Sequence, residues 1–348
     1  MSDKLFHISS SPHFVFGRTT THIMGLVIIS LLPECIYSVY LFGLNALIAI
    51  LTSVASCVIF ELLFQLCTKQ KVVIKNLSAV VTGILLALVC PPTIQWWQLI
   101  LASAVSIIIA KGLFGGIGSN VFNPALTGRA FLFISFPAVM GASWIVPKMT
   151  GIDAVSSATV LSKLKAGTVD SIDFMQYFLG NRAGCLGETS ILLILISFVF
   201  LLALKVIDWR APFGMIFTVS LCSFISGLVS KGTVQAGLNE ILISLLTGGI
   251  MFGAVFMITD YATTPVTKYG RLVFGAGCGL ITFLIRKFGG YPEGVMFSIL
   301  IMNSIAPFLN NLTSRMYGYG KKGNRRPDTE KINKEFDLKE KDPSLGGK

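Results

Sequence analysis

Gly248-Gly249-Ile250-Met251-Phe252-Gly253-Ala254-Val255-Phe256-Met257-Ile258-Thr259-Asp260-Tyr261-Ala262-Thr263-Thr264-Pro265 is a glycine-rich apolar run that closes on polar residues and a proline. A similar run lies earlier: Gly112-Leu113-Phe114-Gly115-Gly116-Ile117-Gly118-Ser119-Asn120-Val121-Phe122-Asn123-Pro124-Ala125-Leu126-Thr127-Gly128. Apolar segments broken by Gly and Pro at corresponding places in two halves of a chain point to discontinuous helices around a central site or pathway. For any single glycine, close helix packing through a small residue is an equal reading. The pairing of the two runs is what favours a repeated architecture.

The surrounding chain fits a membrane setting. Of its 348 residues, 53% are hydrophobic and only 13% charged, with a mean hydropathy of +0.75. Soluble domains carry roughly 25% charged residues. A span needs about 20 apolar residues, which places helices near 23–42, 46–67, 77–91, 95–111, 129–147, 190–205, 211–230, 240–260, 271–286 and 293–313. The expected fold is therefore an all-α polytopic membrane protein of about ten transmembrane helices, arranged as two inverted five-helix repeats with broken helices. Pro33 and Glu34 are expected to interrupt the first span, because Pro removes a backbone donor. Residues 1–22 lack an apolar core and do not read as a signal peptide. The seven cysteines show no CxxC or zinc spacing,. Most sit in apolar spans, where Cys behaves as a small hydrophobe, so no metal site is expected.

The net charge of +11 is explained by topology and not by nucleic acid. With the N-terminus inside, Lys and Arg concentrate on the inner segments and in the tail. The chain then divides into a cytoplasmic segment 1–22, a first transmembrane half 23–147, an extracytoplasmic loop 148–189, a second half 190–313 and a basic cytoplasmic tail 314–348. The setting is a bacterial or archaeal cytoplasmic membrane, with both termini cytoplasmic.

The outer loop contains Asp153-Ala154-Val155-Ser156-Ser157-Ala158-Thr159. This string resembles the Asp-x-x-Ser/Thr-Gly/Ser-Ala-Thr signature at which a flavin transferase joins FMN, through its phosphate, to a threonine hydroxyl. Thr159 would be the acceptor. Ala158 leaves room beside it, Ser156 and Ser157 let the backbone approach a partner enzyme, and Asp153 suits positioning of the metal or the threonine. A lone Thr in a loop would read only as a turn or cap residue. Several further strings accompany the tag: Ser9-Ser10-Ser11-Pro12-His13, Thr21-His22-Ile23-Met24 and Leu31-Leu32-Pro33; Asn120-Val121-Phe122-Asn123-Pro124-Ala125 and Ile134-Ser135-Phe136-Pro137; Gly184-Cys185-Leu186-Gly187-Glu188-Thr189-Ser190; Phe252 to Asp260 with Thr264-Pro265; and Gly289-Gly290-Tyr291-Pro292-Glu293-Gly294 through Asn303. In this order and spacing, over residues 5–313, the chain resembles the D-subunit family of Rnf complexes. More distantly it is similar to the B subunit of sodium-translocating NADH:quinone reductase, which is longer at its N-terminus.

The resemblance implies an FMN-carrying membrane subunit of a translocase that couples electron transfer between ferredoxin and NAD to Na⁺ or H⁺ transport, and that is not catalytic alone. It implies FMN held as a phosphoester on Thr159, making the chain a phosphoprotein, and a second, non-covalent flavin (riboflavin) as in the quinone-reductase branch. It also implies partners: other Rnf-type subunits in the membrane, an outer-face flavin subunit, cytoplasmic subunits facing NAD and ferredoxin, and a flavin transferase for maturation. This chain departs from the pattern at Ser157, where many relatives have Gly, and at Asn310, where an amide replaces an acid and carries no charge for an ion role.

Ionisable groups inside membrane segments are functional candidates. Asp260, Glu34 and Glu61 are the ion-pathway candidates, with plainer readings as ion pairs of Asp260 with Lys268 or Arg271 and of Glu61 with Lys69. Arg129 is a candidate for a flavin phosphate or anionic lipid, with an interfacial anchor as the plainer reading. The alternatives to the redox subunit are the quinone-reductase B subunit and a flavin-free channel or facilitator.

Overall fold

The computed structural model describes residues 19–142, 174–180, 182–289 and 293–316. All regular structure among them is helical. Thr19 opens the first helix by accepting the His22 N–H, an N-cap that satisfies one otherwise orphaned donor. The chain then runs as α1 (Thr20–Phe42) and α2 (Leu44–Cys67). Only Gly43 separates them, at φ +73°, a conformation that favours a residue without Cβ. Pro33 does not interrupt α1, contrary to the sequence expectation; the helix passes through it. The donor that Pro33 lacks is one lost bond in a 23-residue helix, a loss that membrane helices tolerate.

Next come α3 (Ser78–Leu88) and α4 (Trp96–Ala104), the latter continuing as a π-helical segment, Val105–Gly112. They are followed by α5 (Pro124–Ser135), α6 (Pro137–Ala142), α7 (Phe174–Leu179) and α8 (Ile191–Ala203). The last third holds α9 (Arg210–Lys231), α10 (Val234–Leu246), α11 (Ile250–Phe252) running into a π segment at Gly253–Met257, α12 (Lys268–Phe288) and α13 (Val295–Met316).

Five of these helices, α1, α2, α9, α12 and α13, are long and apolar enough to cross a membrane; α10 with α11 makes a sixth if that pair, bent by 65°, is one span. The other four apolar stretches of the sequence form shorter pieces. The expected span 77–91 is an 11-residue helix, about 16 Å long and about half a hydrocarbon core. The expected span 129–147 begins earlier, at Pro124, and is divided at Phe136-Pro137, because a residue before Pro is pushed out of helical geometry. The expected helix 240–260 is divided at Thr247–Gly249.

Glycines let the long helices touch backbone to backbone. A Cβ on Gly83 would lie 2.7 Å from the Val54 Cα, joining α3 to α2. At Gly275 it would overlap the Ala211 carbonyl oxygen, joining α12 to α9. The core between the halves contains Leu31, Leu86, Leu88, Phe252 and Phe274, all fully buried. Leu44, Leu51 and Ile59 of α2, by contrast, are exposed, as a lipid-facing surface requires.

Candidate functional site

The two glycine-rich runs meet. A π turn opens the first and lies within the second: Gly116 N–H reaches the Lys111 carbonyl at 3.0 Å, and Ile258 N–H reaches the Gly253 carbonyl at 2.9 Å. Such turns are rare and recur at functional sites. Beyond the first, Asn123 caps α5 by accepting from Leu126 N–H, while its amide nitrogen donates to the Met257 carbonyl at 3.1 Å. One side chain thus ends one broken segment and ties it to the other. Ser106 of the π segment donates to the Pro124 carbonyl, fastening the same corner.

Between the runs lies a cavity of about 360 Å³. Its polar lining includes Ser78, Thr82, Lys111, Asn120, Asn123 and Asp260, and its apolar walls include Val27, Leu85, Leu201 and Phe256. The Asn120 Oδ1 is buried without a partner. Asp260 lies beyond the last helical residue of its run, Met257. It accepts from the Thr263 hydroxyl at 3.1 Å and from Ala262 N–H at 3.5 Å. Burial raises its carboxyl above the ordinary carboxylate value, with those hydrogen bonds and the Lys111 charge pulling the other way. Neither ion pair considered for Asp260 forms. Arg271 instead binds Asp208 at 2.9 Å and the Pro265 carbonyl at 3.0 Å. Asn310 accepts from Val266 N–H at 2.9 Å, so the amide at that position holds the segment after the break.

Glu61 does not pair with Lys69. Its Oε1 lies 2.8 Å from Lys111 Nζ, which also reaches the Ser78 hydroxyl at 2.6 Å. The trio joins α2, α3 and the π segment at the cavity wall. Lys111 carries no signal in the sequence beyond being one of the inner-segment basic residues; a buried acid in an apolar span needs a cation, but the sequence does not say which. Glu34 is fully buried in α1, and neither carboxylate oxygen has a partner.

A second buried cluster lies around the Gly184–Ser190 motif. Arg129 is buried, unlike an interfacial anchor, and its charge is committed to carboxylates: 2.6 Å to Glu293 and 3.6 Å to Glu188. It also reaches the Cys185 sulfur at 3.5 Å. Cys185, Glu188 and Glu293 offer ligand atoms within 4.8 Å of one another, a spacing a metal could bridge, but the Arg129 guanidinium already sits on both carboxylates. Arg182 donates to the Leu246 and Glu188 carbonyls, and Arg286 to those of Ser244 and Thr247 at 3.0 and 3.2 Å. The Ser244, Leu246 and Thr247 carbonyls end α10, so two guanidinium groups satisfy the acceptors that the break exposes.

Asp208 belongs to none of the sequence motifs. It binds both Arg210 and Arg271 at 2.9 Å. Burial alone would raise its carboxyl, but the Arg210 N–H and the two guanidinium groups outweigh that and hold it below the ordinary value. The available signal was its place two residues before the first residue of α9, where an acid accepts helix N–H groups. Thr159, with Asp153, Ser156, Ser157 and Ala158, lies outside the described residues, as do the Ser9–His13 string and the tail beyond Met316.

The sequence profile of the NQR2, RnfD, RnfE family matches residues 7–318. The chain is 39% identical, over 325 residues, to the D subunit of the Na(+)-translocating ferredoxin:NAD(+) oxidoreductase complex of Acetobacterium woodii, covering 92% of this chain and 98% of that protein. It is 36% identical over 318 residues to the D subunit of the proton-translocating ferredoxin:NAD(+) oxidoreductase complex of Clostridium ljungdahlii, covering 89% and 95%. It is 37% identical over 357 aligned positions to the D subunit of the ion-translocating oxidoreductase complex of Salmonella enteritidis, covering 91% and 99%.

Proposed function

This chain belongs to the NQR2, RnfD, RnfE family, and we propose that it is the flavin-carrying membrane subunit of an ion-translocating ferredoxin:NAD⁺ oxidoreductase. The observation that carries the reading is the cavity lined by the two broken segments, Asn120–Pro124 and Thr259–Asp260, in a chain that aligns with named D subunits along most of its length. In this reading the fold is two inverted five-helix repeats. Both termini face the cytoplasm across the cytoplasmic membrane, and the loop bearing Thr159 faces outward.

Two flavins follow from the reading. Thr159 holds FMN through a phosphoester installed by a flavin transferase, with Asp153, Ser156, Ser157 and Ala158 forming the recognised string. The cavity takes the non-covalent flavin. Its volume of about 360 Å³ suits a small-molecule site, which typically spans about 300–1,000 Å³ with mostly apolar walls and a few polar groups. The unpartnered Asn120 Oδ1 is an acceptor that a ring-edge N–H would satisfy. A bound flavin supplies one- and two-electron chemistry; the chain supplies position, dielectric and charge. Lys111 and Asp260 set the charge at the cavity wall. Electrons arrive from and leave to other subunits of the complex. Asp260, Glu61 and the unpartnered Glu34 are the acids that handle the transported cation. Relatives of nearly equal identity are named for sodium and for protons, so overall likeness does not choose the ion.

The test is intact mass and flavin fluorescence of the full chain co-expressed with a flavin transferase, beside Thr159→Ala and Asn120→Leu. A gain of one FMN less water that Thr159→Ala abolishes supports the attachment. Denaturation should release a second flavin, and Asn120→Leu should lose only that one. An unmodified chain beside an active transferase would remove the attachment and favour a flavin-free pore built on the same broken helices.

A further inference from the structure

A second cleft, of about 420 Å³, opens where the starts of α9 and α12 come together, lined by Trp209, Arg210, Lys268, Tyr269 and Leu272. It is separate from the flavin cavity and shares no residue with it. Three cations stand here against one carboxylate. Asp208 is taken by both Arg210 and Arg271, and Lys268 makes no ion pair among the described residues. The Arg210 guanidinium carbon lies 5.2 Å from the Trp209 ring centroid, and its bonds to Asp208 run through Nη1 and the backbone N–H. That leaves Nη2 and Nε for a ligand. Trp209 and Tyr269 are exposed, as amphipathic rings are at a membrane interface.

We propose that this cleft is a seat for the headgroup of one anionic phospholipid. The charge is complementary to a phosphodiester, which two adjacent cations recognise. The occupant is a lipid, and not a free phosphate, because the cleft leads onto apolar stripes. Trp209, Phe213, Phe217 and Leu221 recur every fourth residue along α9 and are exposed, as are Leu272, Val273 and Leu280 of α12. These stripes run along the two most tightly joined long helices, where Gly214, Gly275 and Gly279 bring the backbones together. Acyl chains lie along that surface while Arg210 and Lys268 hold the phosphate at its rim. A juxtamembrane cation adds about fivefold in affinity for an anionic lipid.

The full chain, reconstituted in phosphatidylcholine vesicles, is titrated with brominated phosphatidylglycerol or brominated phosphatidylcholine while tryptophan fluorescence is read. Subtracting the Trp209→Phe variant isolates the Trp209 signal. Brominated phosphatidylglycerol should quench Trp209 at lower mole fraction than the phosphatidylcholine analogue, and Lys268→Gln should weaken that preference about fivefold. Lys268→Gln leaves the Asp208 pairs intact, so its fold is preserved, and an unchanged melting temperature checks this. Equal quenching by the two lipids, or no effect of Lys268→Gln at unchanged melting temperature, overturns the proposal. Millimolar inorganic phosphate that abolishes the preference overturns the lipid as occupant.

Discussion

Removing Lys111 alone should harm the protein far more than removing Lys111 and Glu61 together. The two charges are 2.8 Å apart, with side chains only 4% and 7% exposed. At an effective dielectric of about 20 their attraction is about 6 kcal/mol. The burial of each ion costs several kcal/mol against that, so the pair contributes little net stability, whereas breaking it is costly by about 3–5 kcal/mol. Lys111→Met leaves Glu61 with both oxygens unpaired, since Oε2 already lacks a partner, and belongs at the upper end of that range. Glu61→Leu leaves Lys111 the Ser78 hydroxyl as an acceptor and belongs at the lower end. The double variant Lys111→Met/Glu61→Leu should lie within about 1–2 kcal/mol of the parent, because replacing a buried pair by apolar groups is often near neutral. The cycle should therefore show a coupling of about 3 kcal/mol or more. The assay is an unfolding titration with SDS in mixed dodecylmaltoside micelles, followed by tryptophan fluorescence. A loss under about 1 kcal/mol for Lys111→Met, or a double variant as unstable as the two single losses added together, would refute a buried, mutually dependent pair.

Arg129→Gln should cost about 3–5 kcal/mol in the same titration, because buried Glu188 and half-buried Glu293 would lose the guanidinium that reaches them both,; adding Glu188→Gln should recover part of the loss. Gly275→Ala should cost about 1–3 kcal/mol through overpacking, since its Cβ would run into the Ala211 carbonyl oxygen. Gly25→Ala, with nothing within 4 Å of the new Cβ, should instead stabilise by up to about 1 kcal/mol. Asp260→Asn tests the half-buried carboxyl at the cavity wall. Its folded value is raised by burial, so its ionisation opposes folding above that value and the penalty vanishes as pH falls below the unfolded value. The variant should therefore be the more stable form near neutral pH, with the difference closing toward acid; a gap that widens in acid would contradict the raised value.

How legible each feature was depends on how local its physics is. The apolar stretches of α1, α2, α9, α12 and α13 were visible because transfer of side chains into hydrocarbon depends on composition over about 20 residues. The break at Asn123-Pro124 was visible because Pro acts on its own backbone, whereas the break at Thr247–Gly249 falls inside the single span expected at 240–260. Pro33 shows the limit of that rule, since α1 continues through it. The partners of the buried charges were not legible. Lys111 finds Glu61 at a separation of 50 residues and Arg129 finds Glu293 at 164. Asp208, an unremarkable loop acid in the sequence, gathers two arginines because α9 and α12 begin side by side.

The sequence by itself determined a helical membrane chain, the two glycine-rich runs and the order of motifs that marks its family, because hydropathy, backbone freedom and short strings are written residue by residue. The tertiary structure alone decided that Asn123 bridges the two runs, that they line one cavity, and that Arg129 is a buried counter-ion and not a surface anchor. Those outcomes turn on which helix faces meet, and a buried charge must be neutralised by whatever group the packing brings within about 4 Å.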